Sequence, residues 1–206
     1  GVLRAARDGE VARLSGIYRR LLEGAGARAF EGYARFVDAH TVEVGGERVT
    51  AERIVVAVGG VPIRPDIPGA ECGITSDDMF SLERMPEKIV VVGGGYIGLE
   101  FACLLRGLGA RVQLTYRQKL PLRGFDQELR EAAAEALVAQ GIDLHPGQKI
   151  EQLGAAGDGR VVTLAAGQVL EGSHVLLAVG RMPETARLLL DAAGVRVREN
   201  GAIVVD

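Results

Sequence analysis

The sequence predicts an α/β protein built on a parallel sheet. Three observations predict it. Lys88 to Val92 is a short apolar, β-branched run of strand length. Gly93-Gly94-Gly95-Tyr96-Ile97-Gly98 follows at once and opens a helical run through Leu108. Two further strand-like runs, Arg111 to Thr115 and Ile142 to His145, alternate with a second helical pattern. Strand, helix, strand, helix, strand is the order of a parallel α/β unit.

Composition agrees with a folded chain. The 206 residues are 48% apolar and 25% charged, enough for a buried core and one to two domains. The formal net charge is −3, from 24 basic and 27 acidic residues. That balance argues against a nucleic-acid partner, which selects a basic field. No apolar run approaches the roughly 20 residues of a membrane span, and no secretory leader is read. Cys72 and Cys103 lie far apart, so a disulfide framework is excluded and a reducing, cytoplasmic compartment fits. His40, His145 and His174 show no metal-ligand spacing, and no metal site is expected. Glycine is the outlier, with 29 residues, about twice its usual share of roughly 7%.

Residues 9–24 read as a helix, with Val11, Leu14, Ile17, Leu21 and Leu22 at helical spacing and Gly24 and Gly26 as its stop. Thr41–Val44 and Glu47–Thr50 flank Gly45-Gly46, a hairpin signal. Arg53 to Val58 reads as an apolar strand running into Gly59-Gly60, and residues 69–86 as a linker. Asp126 is placed to cap a helix that Gly141 ends. Residues 148–172 read as a β-hairpin insertion around Ala166-Gly167, and His174 to Val179 as a buried strand. The chain starts at Gly1 and stops at Asp206 directly after a strand-like run, as a piece of a longer protein would.

The glycine motif carries the first chemistry. Gly93 allows a tight turn, Gly95 lets backbone approach a pyrophosphate, and Gly98 lets the helix pack on the strand. The helix N-terminus then offers free N–H groups to phosphate. The competing reading is a glycine-rich turn without a ligand. A dinucleotide site specific for NAD places an acid at the end of the second strand. Here Thr115-Tyr116-Arg117-Gln118-Lys119-Leu120-Pro121-Leu122-Arg123 holds none, and no acid comes before Asp126. Arg117 and Arg123 suit a 2′-phosphate, which a guanidinium matches with forked, charge-assisted donors. This reads as NADPH, against the alternative of a solvated basic loop. Tyr96 either stacks on a cofactor ring or packs. Glu100 either faces a cationic group or makes a favourable dipole contact.

Taken together, several stretches resemble the flavin-dependent pyridine nucleotide–disulfide oxidoreductases, most closely the glutathione-reductase branch. They are residues 13–22, 32–38, 57–60, 65–69, 74–77, 93–100, 117–126 and 178–183. The resemblance implies a Rossmann-like FAD/NAD(P)-binding fold. Residues 1–80 would be part of an FAD domain, 85–200 an NADPH domain, and 201–206 the return towards the FAD domain. It implies NADPH contacts from Gly94, Tyr96, Ile97, Glu100, Arg117, Arg123 and Gly180, and FAD contacts from Ala34 and Gly59. Tyr96 would gate the flavin, and Glu100 would approach the flavin–nicotinamide region. Tyr18, sharing a face with Ile17 and Leu21, would touch glutathione disulfide, the implied substrate, or else pack within its helix.

The implied relay runs from NADPH to FAD to a redox disulfide to glutathione disulfide, in glutathione metabolism and redox homeostasis. The complete parent would be a homodimer. The departures are a missing first GxGxxG, a missing CxxxxC pair and a missing C-terminal domain with its catalytic histidine. Val58 and Val179 stand in place of threonines, and Glu184 in place of an asparagine. The chain by itself is therefore expected to be inactive as a reductase. The alternatives are a sister enzyme of the dihydrolipoamide dehydrogenase or mercuric reductase type, or an inactive NADPH-binding remnant.

Overall fold

The apolar run ahead of the glycine motif becomes the middle strand of a sheet. The structure, a computed structural model, describes residues 1–205; Asp206, the last residue of the expected return segment, lies outside the described residues. From the amino end the chain forms α1 (Val2–Gly24), β1 (Arg35–Phe36), β2 (Thr41–Val44), β3 (Glu47–Thr50), β4 (Gly60–Pro62), β5 (Ile74–Thr75), α2 (Ser76–Met79) and β6 (Lys88–Val92). Then come α3 (Tyr96–Gly107), β7 (Arg111–Tyr116), α4 (Gln127–Ala139), β8 (Asp143–Pro146), β9 (Ile150–Ala156), β10 (Gly159–Leu164), β11 (Val169–Gly172), β12 (His174–Leu177) and β13 (Arg181–Pro183).

Two compact units result: residues 62–181, and residues 1–61 with those from Met182 onward. The divisions fall at 61/62 and 181/182 rather than near residues 80–85 and 200. The physical reason lies in the stretch read as a linker. Ile74 and Thr75 pair in parallel with Leu176 and Leu177, and Met79 is buried in the core. The Pro68 carbonyl accepts the Leu153 N–H at 2.9 Å. Residues 69–79 are therefore part of the larger unit.

In the 62–181 unit the sheet order is β5-β12-β6-β7-β8, with every neighbouring pair parallel. A parallel sheet is covered on both faces, so its strands read as continuous apolar runs. Ile89, Val90 and Val91 are fully buried, and successive side chains take opposite faces. Ile89, Val91, Val112, Leu114 and Leu176 pack against Leu99, Ala102 and Leu105 of α3 and Leu137 of α4. Val90, Val92, Val175 and Leu177 pack against Leu153, Val162, Leu164 and Leu170. That second cover is the three-stranded antiparallel sheet β9-β10-β11, not the two-stranded hairpin expected over residues 148–172. A second turn at Gly157-Asp158, with Gly157 at φ +57°, supplies the extra strand.

In the other unit β1, β2 and β3 form an antiparallel sheet. Gly45 and Gly46, at φ +58° and +84°, make the tight connection of the β2–β3 hairpin. Phe36, Leu188 and Leu190 centre a small core with Val42, Ile54, Val56 and Ile203. Residues 53–58 form no strand, contrary to the expectation, because none of the described strands pairs with them. Val55 is 88% exposed, while Ile54 and Val56 turn inward. Helix α1 begins at Val2 rather than residue 9, running through Gly9 without a break, and buries no residue.

Candidate functional site

The end of β6 is held on both sides. The Gly93 N–H donates to the Thr115 carbonyl and the Ala178 N–H to the Val92 carbonyl, each at 2.8 Å, so the ladders run on into the glycine turn. Gly93 sits at φ +129°, and a β-carbon there would lie 2.1 Å from the Ala178 carbonyl oxygen. A β-carbon on Gly98 would lie 2.1 Å from the Gly93 carbonyl oxygen, so α3 starts in direct contact with the strand end. One on Gly94 would meet the Tyr116 ring at 2.8 Å. Around Gly95 a β-carbon would meet nothing within 4 Å. The turn is thus closed where it touches protein and open at one residue.

That open residue is the N-cap of α3, and no side chain caps the helix. There is no acid in its first turn. The first N–H groups of a helix have no partner within the helix, and its dipole is positive at that end. Helix α4 in the same unit shows the contrast. The Asp126 carboxylate accepts from the N–H of Glu128 at 2.9 Å and of Leu129 at 3.3 Å. One helix is satisfied by its own side chain; the other is left available to an anion.

Asp126 is also the first acid after β7, and capping occupies it. Arg117, Lys119 and Arg123 are all exposed and have no ionic partner among the described residues. Their loop is nevertheless fixed. The Leu122 N–H donates to the Gly94 carbonyl at 2.7 Å, with Leu122 at φ +53°. Pro121 is fully buried. The Arg130 guanidinium of α4 reaches the carbonyls of Pro121 at 2.7 Å and Leu120 at 3.1 Å. The basic loop is therefore tied to the glycine turn itself. Beside it an open, largely apolar groove of about 470 Å³ is lined by Tyr116, Lys119, Val138, Leu144 and Pro146 among others. Burial pushes the Tyr116 phenol above its usual pKa.

Tyr96 is the first residue of α3 and 57% exposed. Glu100, one turn on, shares its helix face and is exposed, whereas Ile97 is half-buried. Gly180 lies two residues beyond Ala178, the residue that touches Gly93. It is exposed at φ +143°, and its carbonyl accepts the Ile63 N–H at 2.9 Å. The structure therefore gathers Gly93–Gly98, Tyr96, Glu100, the Arg117–Arg123 loop and Gly180 at the carboxyl ends of adjacent strands. In a doubly wound sheet that is where ligands bind, at the point where strand order reverses. The reversal here lies between β6 and β12.

Ala34, Gly59 and Tyr18 belong to the other unit. Ala34 is exposed just ahead of β1. Gly59, at φ +70°, has open space around it, and its carbonyl accepts the Glu184 N–H at 3.1 Å. Tyr18 is 64% exposed on α1, beside half-buried Ile17 and exposed Leu21. Cys72 and Cys103 are free thiols, and burial raises the Cys103 pKa, which disfavours its thiolate. Among the described residues no group of His, Cys, Asp or Glu could hold a metal ion, and no helix is long and apolar enough to cross a membrane.

Three contributors were not readable from the sequence: the Gly94–Tyr116 contact, the Leu122 backbone bond and Arg130. The first two join segments more than about twenty residues apart, and the Leu122 and Arg130 bonds end on backbone carbonyls, which leave no mark on residue type.

Residues 2–206 match the family model described as pyridine nucleotide-disulphide oxidoreductase. The chain is 44% identical over 203 residues to the chloroplastic/mitochondrial glutathione reductase of Pisum sativum, covering 98% of this chain and 37% of that protein. It is 42% identical over 202 residues to the glutathione reductase of Burkholderia cepacia, covering 98% of this chain and 45% of that one. Among solved structures, the HOCl-induced flavoprotein disulfide reductase RclA from Escherichia coli superposes with a TM-score of 0.87 at 29% identity, covering 97% of this chain and 47% of that chain. The chain spans less than half the length of each of these proteins.

Proposed function

Because the chain belongs to the pyridine nucleotide-disulphide oxidoreductase family, we propose that residues 62–181 bind NADPH within a flavoprotein that reduces glutathione disulfide. One observation carries the cofactor reading. The glycine turn opens onto an uncapped helix start, and the loop hydrogen-bonded to that turn presents Arg117 and Arg123 where an acid would select NAD. The residues present fit a dinucleotide phosphate. Gly95 leaves room for it, no side chain caps the first N–H groups of α3, and the loop tied to the turn carries two guanidinium groups with no ionic partner among the described residues.

In this reading Gly93, Gly94, Gly95, Ile97 and Gly98 shape the pyrophosphate cradle, and Arg117 and Arg123 hold the 2′-phosphate. The apolar groove beside Tyr116 offers the adenine a surface. Tyr96 covers the nicotinamide end, Glu100 orients it, and Gly180 supports it through backbone. When bound, NADPH supplies the hydride that the family's flavin passes to a disulfide. The chain's own residues hold and orient the cofactor.

The fit for FAD is weaker. Ala34 and Gly59 offer only exposed backbone, and the described residues contain a single glycine-rich strand–turn–helix. Residues 1–206 carry no CxxxxC pair, so we assign them no disulfide reductase activity by themselves. Tyr18, exposed on α1 beside Ile17 and Leu21, serves as the glutathione contact.

The test is calorimetric titration of the chain with NADPH and NADH. A hydrogen bond to a charged group contributes roughly 1.5–3 kcal/mol. Two of them give a preference for NADPH on the order of a hundredfold or more, at about 1.4 kcal/mol per decade. Arg117→Ala is expected to weaken NADPH and leave NADH nearly unchanged. Equal affinities for the two cofactors at moderate salt overturn the reading.

A further inference from the structure

Arg130 stands apart from the groups assigned above. It sits one turn into α4, half-buried, and its donors go to two consecutive loop carbonyls, those of Leu120 and Pro121. A guanidinium is planar and permanently charged, so two bonds from one fork fix the orientation of the peptide units they hold. Those units lie between Arg117 and Arg123 in the chain. On the far side of the same segment the Leu122 N–H is bonded to Gly94, in a left-handed conformation that a leucine adopts only when held there. The loop is thus clamped from α4 on one side and from the glycine turn on the other. Among the described residues the two arginines it displays have no ionic partner.

We propose that Arg130 is a positioning residue for cofactor specificity: by holding the Leu120 and Pro121 carbonyls it presents Arg117 and Arg123 to the 2′-phosphate of NADPH. The inference rests on the NADPH reading of the site. Arg130 itself does not touch the cofactor. It shortens the search that two long, flexible side chains would otherwise make, because loop order is established before the ligand arrives. The 2′-phosphate gains from this order; the rest of the dinucleotide, held by the glycine turn, does not.

The experiment titrates the full chain with NADPH, NADH and 2′,5′-ADP, as wild type, Arg130→Gln and Arg130→Lys, with thermal midpoints measured alongside. Arg130→Gln should weaken NADPH and 2′,5′-ADP about tenfold, equivalent to about 1.4 kcal/mol, while NADH moves by less than about twofold. Arg130→Lys, able to serve one carbonyl, should fall between and carries the test if the glutamine variant does not fold. In the double variant with Arg117→Ala the losses should not add, since both act through one contact. An NADPH-over-NADH preference that stays at its full wild-type size in both Arg130→Gln and Arg130→Lys overturns this proposal alone. So does an equal loss for NADPH and NADH, which marks a merely structural role. A wild-type chain that binds both cofactors equally overturns the NADPH reading and this proposal with it.

Discussion

An alanine at Gly98 would place its methyl carbon 2.1 Å from the Gly93 carbonyl oxygen, a backbone atom that cannot step aside. Overpacking of this kind costs about 1–3 kcal/mol or more. Gly98→Ala should therefore lower the urea midpoint clearly. Gly95→Ala meets nothing within 4 Å, so its stability cost should stay within about 1 kcal/mol, the usual effect at an N-cap. Its nucleotide affinity should nevertheless fall, because the added methyl occupies the approach to the helix start. Stability and binding measured on both variants separate the two roles, and a Gly98→Ala protein as stable as wild type contradicts the packing argument. At this scale the sequence was legible where a motif's spacing encodes a steric need, as at Gly93 and Gly98. It was silent at Gly94, whose neighbour Tyr116 lies one strand and one helix away, and at Arg130, whose targets are carbonyls.

Elements were legible where a local signal and a buried face agree. The β2–β3 hairpin follows from Gly45-Gly46, β6 from its β-branched run, and the start of α4 from Asp126, whose carboxylate accepts two N–H bonds. Elements defined by a distant partner were harder to read. β5 is two residues long and exists because β12 pairs with it. Residues 53–58 have a strand's composition, but no neighbouring strand pairs with them. At the start of β12, His174 has its pKa held below the ordinary 6.5, first by burial and then by the Arg160 charge. As pH falls through about 6.5 the unfolded chain takes up a proton that the folded chain refuses. Stability is thus complete above that value and declines below it, until the folded pKa is reached. The denaturation midpoint should drop between pH 7 and pH 5.5, and the drop should shrink in His174→Gln. An unchanged slope in that variant removes His174 from the account.

For the molecule as a whole, the unit of residues 62–181 contains both large apolar clusters and every group assigned to the dinucleotide. Expressed as residues 62–181, it should unfold in one cooperative step and bind NADPH within a few-fold of the longer chain. Loss of cooperative unfolding would show that its core depends on residues outside those limits. The unit's boundaries escaped the sequence because the partners of proline-rich residues 62–68 lie far along the chain. Their bonds to Leu153 and Gly180 make them part of the fold. The sheet's topology also bears on how the nascent chain emerges from the ribosome. Lys88 and Ser173, bonded across the start of β6 and β12, are separated by 85 positions. At about 5–20 residues per second, β6 waits on the order of ten seconds for its second neighbour. Throughout that interval it presents an unpaired apolar edge. Chaperone capture during synthesis is therefore expected at this strand in chains that stall before residue 174.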